Sequence, residues 1–142
     1  MIRTFKPKHY RKLYGRVAGT CYLDEDGKPV IEVPYHASTR TRLHEMAHVE
    51  LGHLKQEQIT YQELFNTECD AEMFVNVCIG KQNRATVTLP AIYSVSHYHV
   101  VRPNEILNMA REYLADHAII ISNQEVSKLW WIIREEYAEA KP

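Results

Sequence analysis

His44 and His48 stand four residues apart with Glu45 beside the first, and this spacing constrains the local fold more than any other feature of the chain. Residues four apart on an α-helix lie about 40° apart around the axis and about 6 Å along it, so a helix brings both imidazoles within reach of one tetrahedral ion. The flanking residues agree. Pro34 closes the preceding extended segment, Ser38 or Thr39 can accept a backbone N–H at a helix start, and Gly52 suits a helix end. The sequence therefore predicts a helix from there to about Leu51. Glu45 would sit beside the two histidines, free to accept a proton from water acidified by the ion. The alternative is an unliganded helix whose imidazoles and carboxylate face solvent.

A third donor decides between these readings, because catalytic zinc takes three protein ligands and an open position. Metzincin spacing would place Gly three and His six residues after His48, where the chain has Leu51 and Leu54. His53 does not replace them, since it lies roughly 180° round a helix from His44 and should point away from the ion. A carboxylate from the next helix is the other solution. Thr60-Tyr61-Gln62-Glu63 is a capping box that opens a helix running to about Ile79, ahead of Gly80. On it Glu68 can ligate the metal, and Glu72, four residues on, can accept the second ring N–H of a ligating histidine. Cys69 lies about 100° round from Glu68, towards the core side.

The rest of the chain supplies a scaffold. Arg16 to Leu23 and Pro29 to Val33 are rich in β-branched and aromatic residues, and the polar turn Asp24–Lys28 between them predicts a β-hairpin. Val87 and Leu89 alternate like a short strand, and Ser94 to His99 reads as loop or edge. Pro103 opens a helix with Ile106, Leu107, Ala110 and Leu114 on one face. Ser122-Asn123-Gln124-Glu125 caps a last helix striped by Val126, Leu129, Trp130, Ile133 and Tyr137, with Trp130 and Trp131 read as packing.

With 142 residues, 45% hydrophobic and 25% charged, the composition fits one globular domain over residues 1–142. A net charge of -1 argues against direct binding to nucleic acid or anionic membrane. Three cysteines without a Cys-x-x-Cys pair argue for reduced thiols. No secretory signal or membrane span is evident, so the expected location is the cytoplasm. His9, His36 and His117 read as surface or half-buried polar residues.

His44-Glu45-x-x-His48-x-x-Leu51-Gly52-His53 followed by Glu68-x-x-Ala71-x-x-Phe74 resembles the gluzincin clan and, within it, the ImmA/IrrE-like zinc metallopeptidases. The hairpin and the late helices also resemble that family's order, so the similarity spans about Gly15 to Glu136, at a size comparable to the minigluzincins. Glu72 departs from the Asn or Asp usual there, and Val75 from Ala. The resemblance implies an α+β, zincin-like domain: a small antiparallel sheet, an active-site helix, a glutamate-ligand helix and two C-terminal helices. It implies Zn2+ held by His44, His48 and Glu68, with Glu45 as general base. It further implies limited proteolysis of a protein or peptide substrate, such as a DNA-binding repressor. An exposed hairpin strand could bind substrate backbone by strand addition.

The oxyanion formed in such a reaction needs a donor, and Tyr61, Tyr93, His97, Tyr98 and His99 are the candidates. His97 and His99, two apart in an extended segment, would share a face and could also add a ligand. Rival readings of the same residues are a non-catalytic zinc-binding regulator or interaction module, and a latent enzyme with its open metal position blocked. The sequence leaves the oligomeric state open.

Overall fold

A computed structural model describes residues 2–5, 19–57, 60–96 and 100–139. The chain divides into two compact units, Met1–Gln56 and Glu57–Pro142.

In the first unit, β1 (Ile2–Phe5), β2 (Thr20–Leu23) and β3 (Pro29–Pro34) form a sheet in the order β1-β3-β2. The predicted hairpin is present: β2 runs antiparallel to β3 with Cys21 opposite Ile31. Its turn is built by Asp24, whose Oδ1 accepts the backbone N–H of Asp26 and of Lys28, both at 2.9 Å, while Gly27 takes φ 77°. The sheet is mixed, not antiparallel as expected, because β1 pairs with β3 in parallel, Ile2 opposite Ile31. Parallel partners need a long crossover and carry no local turn signal, so a four-residue strand at the start of the chain leaves little trace in sequence.

Helix α1 (Thr39–Glu50) packs on β3 and β2, with Val30, Ile31, Val33 and Ala47 buried. Ser38 caps it, accepting the N–H of Thr41 on Oγ at 3.1 Å, as its sequence position predicts. The helix ends at Leu51, whose N–H bonds the carbonyl of Ala47 at 2.9 Å. Gly52 then turns left-handed at φ 74°, and a single 3₁₀ turn follows over His53–Lys55.

The described elements of the second unit are all helical: α2 (Tyr61–Cys78), a 3₁₀ turn (Ala85–Thr88), α3 (Leu89–Ser96), α4 (Pro103–Asp116) and α5 (Asn123–Glu139). α2 packs against α3 and α4, and α5 against α3 and α4, around a core that includes Phe65, Ile92, Ile106, Tyr113 and Ile133. The caps are those read from sequence. Thr60 accepts the N–H of Glu63 on Oγ1 at 3.1 Å, and Ser122 and Glu125 cap one another reciprocally.

Three expectations change here. The strand read at Val87 and Leu89 is a 3₁₀ turn leading into α3, closed by the Thr88 hydroxyl donating to the carbonyl of Ala85 at 2.8 Å. Two alternating residues are too few to set a period. Val87, Ala91, Ile92 and Val95, all fully buried, instead recur at helical spacing. Ser94 to Ser96, read as loop or edge, belong to the same helix. Trp131, read as packing, is 61% exposed, whereas Leu129 and Ile133 of the stripe are buried. No helix among the described residues is long and apolar enough to cross a membrane.

Candidate metal centre

The helix predicted to carry His44 and His48 forms, and it brings the two rings together. Their Nε2 atoms lie 3.2 Å apart, with ring planes at 84° and centroids at 4.8 Å. Two nitrogens bound to one tetrahedral zinc at 2.0–2.1 Å would be separated by about 3.3 Å, so the pair already has the spacing of one edge of a coordination tetrahedron. His44 is half-buried and His48 is buried, at 6% exposure, so neither follows the alternative of a fully solvated face.

His53 is where the structure departs from the helical projection. The helix does not continue: Gly52 at φ 74° folds the chain back, and Nδ1 of His53 comes within 2.9 Å of Nδ1 of His48. The ring is buried. A glycine just past the end of the helix was the sequence signal, because it marks the point beyond which the projection no longer applies.

Glu45 is also buried, at 6% exposure, and the residue that fits around it is Gly19. A Cβ on Gly19 would stand 2.8 Å from Cγ of Glu45, 3.2 Å from its Cδ and 3.1 Å from Cγ1 of Val33. Glycine beside a strand often marks a place where another group approaches closely, and that was the available signal here.

On the C-terminal unit, α2 presents Glu68 half-buried and Glu72 at 5% exposure, one turn apart on the same face. Cys69 points into the core with no exposure. Burial first, then the charges of Asp70, Glu68 and Glu72, push its thiol pKa strongly upward, so it remains protonated. Tyr61, the first residue of α2, is 40% exposed, and Tyr93 is half-buried on α3. His97, Tyr98 and His99 lie outside the described residues.

Among the described residues, His44, His48 and Glu68 are a donor set that could hold a metal ion. Two imidazoles and one carboxylate suit zinc, but they also suit other first-row divalent cations, so the donor chemistry does not name the metal. Comparison with family models, with curated proteins and with solved structures finds no match to this chain.

Proposed function

We propose that the protein is a zinc-dependent endopeptidase of the two-histidine, one-glutamate type, resembling the ImmA/IrrE-like enzymes, acting in the cytoplasm on a regulatory protein such as a repressor. The observation that carries this reading is the pair His44 and His48. Their Nε2 atoms are 3.2 Å apart on one helix, with the carboxylate-bearing Glu45 buried between them in sequence. Glu68 completes the donor set, and its half-buried place on a helix anchored by the neighbouring Cys69 suits a fixed ligand.

When bound, zinc would supply Lewis acidity, polarising the scissile carbonyl and lowering the pKa of water. The protein's own part falls mainly to Glu45. Its carboxylate takes the proton from the attacking water and returns it to the leaving amine, so that one residue acts first as base and then as acid. Burial at 6% exposure keeps competing water from that carboxylate. The candidates for meeting the oxyanion are Tyr61 and Tyr93, each through a phenolic hydroxyl, together with His97, Tyr98 and His99.

Metal analysis joined to Glu45→Gln tests the proposal. Purified protein should hold about one zinc per chain, lost on His44→Ala, His48→Ala or Glu68→Ala. Glu45→Gln should retain the zinc, and protein fragments that appear in cells with the wild type should vanish with it. Zinc retention with unchanged biological activity in Glu45→Gln would mean a binding module. Absence of zinc from a stable wild type would remove the metal centre altogether.

A further inference from the structure

We propose that His53 is the positioning residue for His48, accepting the Nδ1–H of His48 and so presenting its Nε2 lone pair to the metal. The inference rests on the metal reading above, and it assigns to His53 a part that helical spacing had given to Glu72.

The geometry carries it. His48 uses its two ring nitrogens in opposite directions: Nε2 lies 3.2 Å from His44 Nε2, and Nδ1 lies 2.9 Å from His53 Nδ1. Two neutral imidazole nitrogens at 2.9 Å share one proton, since two lone pairs would repel and two N–H groups would clash. If Nε2 of His48 donates its lone pair to a cation, the neutral ring must carry its proton on Nδ1. His53 is then the acceptor, and its own proton sits on Nε2. The rings are tilted at 59° with centroids 5.1 Å apart, so the contact is edge-on through the nitrogens rather than a stack.

The local fold holds the arrangement. His53 opens a 3₁₀ turn, which the carbonyl of His53 closes by accepting the N–H of Gln56 at 3.2 Å. Gly52 supplies the left-handed residue without which the chain would not return to His48. Both rings are buried, so water competes poorly for the shared proton. Histidines that ligate metals regularly give their second N–H to a carboxylate, a backbone carbonyl or water, a place taken here by an imidazole nitrogen, and loss of the acceptor typically weakens metal binding 10- to 100-fold.

Competition between the full-length protein and a chromophoric chelator for Zn2+ gives the affinity of wild type, His53→Leu and His53→Gln. Long-range ¹H–¹⁵N NMR of the zinc-loaded wild type gives the tautomers. The expectation is a 10- to 100-fold weaker zinc affinity for His53→Leu, substantial recovery in His53→Gln because its amide oxygen can accept the same proton, and His48 protonated on Nδ1 with His53 on Nε2. Equal affinities in all three proteins would overturn the role of His53 while leaving the metal centre in place. Equal weakening in both variants would reduce His53 to packing. Should His53→Leu fail to fold, the tautomers decide: His48 protonated on Nε2 in the loaded wild type overturns the proposal. A wild type that takes up no zinc overturns the metal reading and this inference with it.

Discussion

Gly19 and Glu45 are so close that no side chain fits between them: a Cβ at position 19 would lie 2.8 Å from Cγ of Glu45. Val33 closes a second side at 3.1 Å. Cγ lies near the root of the Glu45 side chain, in the middle of α1, and the residue is buried, so it can yield only by leaving its place. On the proposed peptidase reading, Gly19→Ala should therefore lower activity by about 100-fold, the scale expected when a catalytic group is displaced by about 1 Å. Any zinc held by the proposed site should stay bound, because neither histidine is touched. Overpacking should lower stability by about 1–3 kcal/mol. Full activity in Gly19→Ala would show that Glu45 has room the structure does not reveal.

The cysteines should differ in reactivity. Cys69 is fully buried with its thiol pKa raised by burial and neighbouring carboxylates, whereas Cys78 at the end of α2 is exposed. Alkylation of native protein near pH 8 followed by mass spectrometry should label Cys78 promptly and leave Cys69 unlabelled until the protein is denatured. Prompt labelling of Cys69 would mean that the core of the C-terminal unit opens far more readily than its packing implies.

Alkaline pH should destabilise the fold through two groups of one core. Burial first and a hydrogen bond to Asp70 at 2.6 Å second push the Tyr113 hydroxyl pKa upward, in the same direction as Cys69. In both cases the folded chain keeps a proton that the unfolded chain releases. Their contribution is thus complete below the unfolded pKa values, about 8.5 for Cys and 10 for Tyr, and declines as pH rises past them. Each group should add a slope of about 1.4 kcal/mol per pH unit there. Urea titrations between pH 8 and 11 should show the decline, and Tyr113→Phe should make it shallower above pH 10. A flat profile would mean that both Cys69 and Tyr113 ionise in the folded state.

Ala118 offers a stabilising change. It follows α4 at φ 55°, and the N–H of Ile119 returns to the carbonyl of Leu114 at 2.8 Å, the signature of a Schellman ending in which glycine is favoured. Left-handed backbone costs an L-residue about 1–2 kcal/mol, partly offset by the extra unfolded freedom of glycine. Ala118→Gly should raise stability by up to about 1 kcal/mol, seen as a Tm increase of a few degrees. A lower Tm would show that the methyl group packs usefully.

What the sequence revealed follows the range of the interactions. Ser38, Thr60 and Ser122 act on amides three residues away, and the hairpin turn at Asp24 is equally local, so each was legible. So was the pairing of His44 with His48, a matter of helical spacing alone. The parallel partnership of β1 and β3 joins residues 29 apart in register and has no such local mark. The contact of His53 with His48 was missed for the opposite reason: a local rule was extended one residue beyond the glycine that ends its validity. The fit of Gly19 against Glu45 is a packing fact that no period expresses.

The position of Glu68 beside Cys69 on α2 has a consequence for how the donors fluctuate. A glutamate whose neighbour is locked in the core has its backbone held in place until that core opens, which is among the rarer openings of a folded unit. His53 is held by a single three-residue turn, the kind of element whose amides exchange with solvent through small local openings. The ligands and their support would then live on separate clocks, so that the pace of metal release would be set by the turn rather than by the helix.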